Sequence, residues 1–179
     1  MRSKLILPLL LLSSTVFFNS CSKQKSEKDE VKLNDKNLTT CSTGTGCSFL
    51  FTEQADVENF NSLKSGPYRV FWSTQQGAGT TTILYMKAPM TGSSFALTKA
   101  DILAGKILLN RSCPACYRYE IPFKPVDGYV KGMNTTPGKR ADQTKWLVEA
   151  KIFLQAEGSP GVKDTVFVKQ YFEPNFIFD

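Results

Sequence analysis

A period of two dominates this chain and limits what it can fold into. In GPYRVFWSTQQGAGTTTILYMKAP, residues 66–89, two runs of β-branched and aromatic residues flank residues 75–79. Gly77 and Gly79 there supply the positive backbone angles that a hairpin turn needs. A second stretch, TKWLVEAKIFLQAEGSPGVKDTVFVKQYF, sets Trp146, Val148, Ala150 and Ile152 on one face and Glu149, Lys151 and Gln155 on the other. Gly158, Ser159, Pro160 and Gly161 read as its turn. Successive strand side chains point to opposite faces, so this spacing predicts half-buried strands. Further strands are predicted over residues 48–53, 106–110, 117–123 and 128–133, about eight in all, each bounded by Gly, Pro or Asn.

The one helical signal is TKADILAGK, residues 98–106, where Thr98 caps the first turn, Asp101 sits at the capping-box offset and Gly105 ends the helix. No long helices alternate with the strands, which disfavours parallel βαβ units. The expected class is all-β and mainly antiparallel, a β-sandwich or small β-barrel with one short helix. Phe71 lies opposite Val70 and Trp72, so both faces of one strand are apolar. That predicts either a partly covered outer face or an aromatic binding surface, with Tyr68, Trp72, Tyr85, Tyr117 and Tyr119 as candidates.

The 179 residues divide unevenly. Arg2 and Lys4 open the chain, residues 5–18 are apolar but broken by Pro8 and the Ser13-Ser14 pair, and Ser20 precedes Cys21. The apolar run is short for a membrane span, and the three parts are those of an export leader. The end of this leader, Phe18-Asn19-Ser20-Cys21, resembles the lipobox of bacterial lipoproteins, in which the chain is cut before a cysteine that receives a diacylglycerol. The resemblance implies lipidation at Cys21 and attachment to a bacterial cell envelope, at the outer membrane. Residues 22–40 hold five lysines and four acidic residues with little apolar beyond Val31, Leu33 and Leu38, and are expected to be a flexible tether. Glu27, Asp29 and Glu30 resemble the acidic signals that follow the lipidated cysteine in surface-exposed lipoproteins of Bacteroidota. A single domain is expected over residues 41–179. Beyond the leader, the chain resembles Bacteroidota lipoproteins of similar size and cysteine layout whose function is uncharacterised, which implies no mechanism.

Five cysteines leave one unpaired in an oxidising compartment, and assigning Cys21 to lipid leaves an even four: Cys41, Cys47, Cys113 and Cys116. Two structural disulfides are the expected state, with three pairings open. A local Cys41 to Cys47 link closes a short Gly-rich loop, whereas links to Cys113 and Cys116 would staple distant strands. Four thiolates on zinc is the other arrangement. Cys113-Pro114-Ala115-Cys116 also resembles the active-site motif of the thioredoxin superfamily, which implies Cys113 as nucleophile and Cys116 as resolving thiol. The alternating residues 117–123, with Pro122, stand where that superfamily places a helix.

The chain has no histidine, which removes Ser-His-Asp and Cys-His mechanisms, His-ligated zinc and the 2-His-1-carboxylate iron site. Carboxylates that could form a glycosidase pair are Glu120, Asp127, Asp142, Glu149 and Glu173. There is neither a P-loop nor GxGxxG, and no cofactor or metal is expected. Without Arg2 and Lys4, 20 basic residues face 16 acidic ones, spread thinly, so nucleic acid is not an expected partner. Asp164-Thr165-Val166 resembles the O-glycosylation acceptor of Bacteroidota. Two classes remain: a non-enzymatic binding or structural module for a glycan, peptide or envelope protein, and a thiol-disulfide oxidoreductase.

Overall fold

The computed structural model describes residues 31–41, 46–59, 62–77, 79–114 and 121–175. The leader, Cys21, Cys116, Tyr117, Tyr119 and Glu120 lie outside them. Nine strands form in chain order: β1 (Gly46–Glu58), β2 (Ser62–Ser65), β3 (Tyr68–Gly77), β4 (Thr80–Pro89), β5 (Ser94–Leu97), β6 (Ile107–Ser112), β7 (Phe123–Asn134), β8 (Trp146–Ala156) and β9 (Ser159–Pro174). One short helix, α1 (Lys99–Asp101), runs into a wider helical turn over Ile102–Lys106, and a 3-10 turn spans Ala141–Gln143. The fold is all-β, as the period of two predicts.

The strands hydrogen-bond in the order β5-β7-β8-β9-β1-β3-β4-β6, with β2 paired to β1. All pairs are antiparallel except β1 with the end of β9, where Leu50 meets Glu173 and Phe51 meets Pro174. The sheet is therefore two antiparallel halves joined by a short parallel seam. It curls strongly. On a flat sheet β3 and β5 would stand roughly 24 Å apart, five strand spacings, yet the rings of Phe71 and Phe95 stack with centroids 5.2 Å apart. The result is a half-barrel whose concave side holds the main core: Phe51, Phe71, Leu84, Trp146, Ile152 and Phe172 with their neighbours.

Local chemistry explains the turns. Gly77 pairs with Thr80 at the tip of the first hairpin, where Gly79 takes φ 79°. In the second hairpin Ala156 pairs with Ser159 and Gly158 takes φ 75°, so the turn is at Glu157 and Gly158, earlier than the sequence reading placed it. Pro160 and Gly161 instead fall in a bulge of β9, where proline need not donate to the ladder, and Gln155 Nε2 donates to the Pro160 carbonyl at 3.0 Å. The capping box forms as expected, with the Thr98 backbone N–H donating to Asp101 Oδ2 at 2.8 Å, and Gly105 at φ 77° stops the turn. Ile102 anchors it in the core.

Three strand expectations need correction. Residues 121 and 122 are not in a strand, and β7 begins at Phe123, where Pro122 no longer interrupts the ladder. β7 then runs unbroken through the expected 128–133 segment, absorbing Pro125 at a bulge between Pro125 and Asp127. The four-residue strands β2 and β5 were not anticipated; SLKS, for instance, offers one apolar residue and no readable alternation.

A bulge between Thr52 and Ala55, with Gln54 at φ 54°, adds one residue to β1 and swaps its faces. Phe51 therefore packs inside, while Ala55 and Val57 turn outward. There they join Val70 and Tyr85, with Leu63, Tyr68, Trp72, Ile83 and Leu108 packed against them. This second cluster covers the outer face of β3 and β4. Of the aromatic candidates, Tyr85 is buried and Tyr68 and Trp72 are half-buried within it.

Residues of the segment read as a tether also join the body. The Thr39 N–H donates to the Lys169 carbonyl at 2.7 Å, and the Lys169 N–H donates to Thr39 Oγ1 at 2.8 Å. Lys169 Nζ reaches Asn34 Oδ1 at 3.3 Å. The ordered body thus takes in chain from before Cys41.

Candidate binding groove

Cys41 and Cys47 form a disulfide, so the first cysteine pair is local and does not staple distant strands. Closing so short a loop stabilises the fold by about 2 kcal/mol in the chain-entropy account. The same bond consumes two of the four thiolates that a zinc site would need. Cys113 is disulfide-bonded as well, at the end of β6. Among the described residues the helical segments are confined to Lys99–Lys106 and Ala141–Gln143, so no strand-to-helix unit of thioredoxin type is present there.

The carboxylates follow one pattern. Asp127 accepts from Lys99 Nζ at 2.9 Å, Asp142 pairs with Arg140 at 3.2 Å, and Glu173 with Lys145 at 2.8 Å. Glu149 meets Lys169 at 3.0 Å and accepts from the Tyr129 hydroxyl at 2.9 Å. The hydrogen bond from Lys99 holds the Asp127 carboxyl below its ordinary range. Burial pushes Glu149 up, but Lys169 and Tyr129 outweigh it and the net direction is down. A glycosidase acid needs a carboxyl held protonated, and these two are shifted the opposite way. Among the described residues no three His, Cys, Asp or Glu cluster as a metal site.

Two of the hollows lined by described residues bear on binding. One, of about 400 Å³, sits at the parallel β1 and β9 junction and is lined by Glu53, Asn134, Lys139 and Thr144 among others. Glu53 is committed there: Arg69, 7% exposed, donates from Nε at 2.8 Å and Nη2 at 2.6 Å to Glu53 Oε1, and its guanidinium lies 4.3 Å from the Trp146 ring centroid. That stack ties a buried cation to the core rather than to the hollow.

The other hollow, of about 650 Å³, lies in the seam where the sheet fails to close, between β6 and the first half of β7. β6 pairs with β4 on one side, and β5 pairs with β7 only from Val130 to Met133. Among the described residues, Phe123–Tyr129 thus keep one edge to which no described strand pairs. Its lining is mainly apolar, from Leu108, Leu109, Ile121, Phe123 and Pro125 among others, with Asn59, Asn110, Arg111, Lys124 and Glu157 as the polar members. Arg111 is aimed by Asp164, which accepts from its Nη1 at 2.8 Å, and by the Phe123 ring at 5.5 Å. Burial opposes the Asp164 charge, but Arg111 and the Thr165 N–H outweigh it and keep its carboxyl below the ordinary range. Sequence reasoning missed this groove, since its two walls, β6 and β7, meet only through the curl of the sheet.

These ion pairs set the acid limit of the fold. Asp101 is held low first by Lys106, and Asp56, despite burial, by Lys87. With Glu149 and Asp164, their folded pKa values lie below the unfolded ones. Their stabilisation is complete above the unfolded value, near 4, and is lost as pH falls through the folded value. With no histidine, no ordinary side chain titrates between about pH 5 and 8. The thermal midpoint is expected to be flat over that window and to fall below about pH 4, measured by circular dichroism; a slope inside the window would contradict this balance.

Searches against protein-family models, curated proteins and solved structures return no match for this chain.

Proposed function

We propose that this chain is an envelope lipoprotein anchored through an acylated Cys21, whose domain works by binding rather than catalysis, with an extended polypeptide of an envelope partner as its ligand. The observation that carries the reading is the groove of about 650 Å³ between β6 and β7, whose lining is mainly apolar and which is bordered, among the described residues, by the open edge of Phe123–Tyr129. Such a site takes a peptide by strand addition, main-chain hydrogen bonds supplying affinity and alternate pockets supplying specificity. Of the aromatic candidates for a glycan site, Tyr68, Trp72 and Tyr85 are engaged in the second core cluster.

Two substitutions test the two halves of this reading. Cys21→Ser is expected to move the protein from the membrane to the soluble fraction and to remove the acyl mass from its N-terminus. Ile121, 48% exposed on the groove wall, tests the ligand. Heptapeptides selected on the parent domain from a random display library are expected to bind Ile121→Glu at least tenfold more weakly, while its stability changes by no more than about 0.5 kcal/mol. Peptides that bind both forms equally would place the ligand elsewhere.

A further inference from the structure

On the outer face of β7, β8 and β9, opposite the main core, three rows of paired residues stand open: Lys124 with Gln155 and Lys163, Asp127 with Phe153 and Thr165, and Tyr129 with Lys151 and Phe167. Phe153 is 40% and Phe167 44% exposed, two of the five large apolar side chains exposed on the described surface, and Val162 in the nearby bulge is a third. The next row, Lys131, Glu149 and Lys169, ends the open area. The two acidic groups of this face are neutralised at home, Asp127 by Lys99 and Glu149 by Lys169. Lys124, Lys131, Lys151 and Lys163 have no carboxylate partner among the salt bridges of the described residues. Lys131 lies over the Tyr129 ring at 5.6 Å and Lys151 over the Phe153 ring at 5.3 Å, which holds both cations above the ring faces. The face is thus a cationic ring around half-exposed phenylalanines.

The chain enters the body on this same side. Asn34 and Thr39 are bonded to Lys169, at the border of the open area. Ten positions separate Cys21 from Val31. Fully extended, they span at most roughly 35 Å, and as a coil about 17 Å. Neither length exceeds the diameter of a domain of this size, on the order of 35–40 Å. A lipid on Cys21 would therefore hold this face within reach of the bilayer at high effective concentration.

We propose that the outer face of β7, β8 and β9 docks on an anionic membrane surface, its lysines meeting lipid phosphates and Phe153 and Phe167 entering the headgroup layer. Docking would lay the domain on the bilayer in one orientation. The orientation argument rests on the Cys21 anchor, but the chemistry of the face does not. Each lysine near an anionic surface strengthens binding about fivefold, and exposed aromatics add apolar burial at the interface.

The test uses residues 22–179 without the acyl group; both core clusters lie inside residues 51–172, so this chain carries the whole core. Flotation is measured with vesicles of phosphatidylglycerol and phosphatidylcholine and with phosphatidylcholine alone. The expected result is binding to the anionic vesicles only, lost at about 0.5 M salt. Lys151→Glu with Lys163→Glu weakens it at least about 25-fold. Phe153→Ser with Phe167→Ser weakens it roughly tenfold with the thermal midpoint held. No preference for the anionic vesicles, unchanged binding by either double variant, or tighter binding to a single-stranded oligonucleotide than to the vesicles would overturn the proposal. The intact mass of envelope-extracted protein separates the two readings. An unmodified Cys21 with anionic-vesicle binding intact sinks the anchor and leaves the docking face standing, whereas an acylated Cys21 with no vesicle binding by the unacylated chain sinks the face alone.

Discussion

Phe71→Ala is expected to cost about 3–5 kcal/mol, seen as a lower urea midpoint with an unchanged slope. Phe71 is fully buried and is the hub of the concave core. Its ring meets Phe51 at 5.4 Å, Phe95 at 5.2 Å, Trp146 at 5.6 Å and Phe172 at 5.6 Å. These partners come from β1, β5, β8 and β9, strands that span the curl from one sheet half to the other. Truncation removes the transfer free energy of the ring and leaves a cavity that rigid β neighbours close only in part. Phe71→Leu keeps most of the volume and should cost much less. A cost below about 1 kcal/mol for the alanine variant would mean that the two halves are not held together through this ring.

Gly128→Ala is expected to cost on the order of 3 kcal/mol, through backbone rather than cavity. Gly128 has φ 129°, outside the region that L-residues adopt, just after the β7 bulge. A Cβ there would overlap the Lys151 carbonyl oxygen and press on the Ile152 Cα at 3.0 Å. Both are backbone atoms of the central strand β8 and cannot swing away. The Asp127 carboxylate accepts from the Gly128 N–H at 2.7 Å, which pins the bulge in register. Gly158→Ala is the control: its φ is also positive at 75°, but nothing lies within 4 Å of its Cβ position. It should cost only the strain, about 1 kcal/mol. Equal losses in both variants, compared by thermal unfolding, would remove the steric part of the account.

The strands that could be read in advance were those with long alternation. Trp146, Val148, Ala150 and Ile152 are all essentially inaccessible, while Glu149, Lys151 and Gln155 face outward, as their spacing predicts. The capping box at Thr98 and Asp101 was equally legible because it is local. Where the reading failed, a local rule was overridden by a partner distant in sequence. Pro160 and Gly161 look like a turn but sit in a bulge because Ala156 finds Ser159 first. β2 carries one apolar residue, and its place is set by pairing with β1 after the bulge at Gln54.

The candidate site was less visible. Leu108, Leu109 and Phe123 look like ordinary core residues in the sequence, and nothing local marks a groove between them. Nor does any one strand show that Tyr68 and Trp72 are packed, because Val57 and Leu63 join Val70 beside them in an outer cluster drawn from separate strands.

The sequence by itself determined the class of strand-rich fold, the faces of its long hairpins, the capped turn and the loss of every histidine-dependent chemistry. These follow from side-chain period, local hydrogen bonding and composition, none of which needs a distant partner. The tertiary structure alone decided the curl, the local Cys41 to Cys47 bridge, the open seam and the gathering of Lys124, Lys151 and Lys163 around Phe153 and Phe167. Each depends on which strands become neighbours, and that is set by the summed burial of the whole sheet, which no stretch of the chain carries on its own.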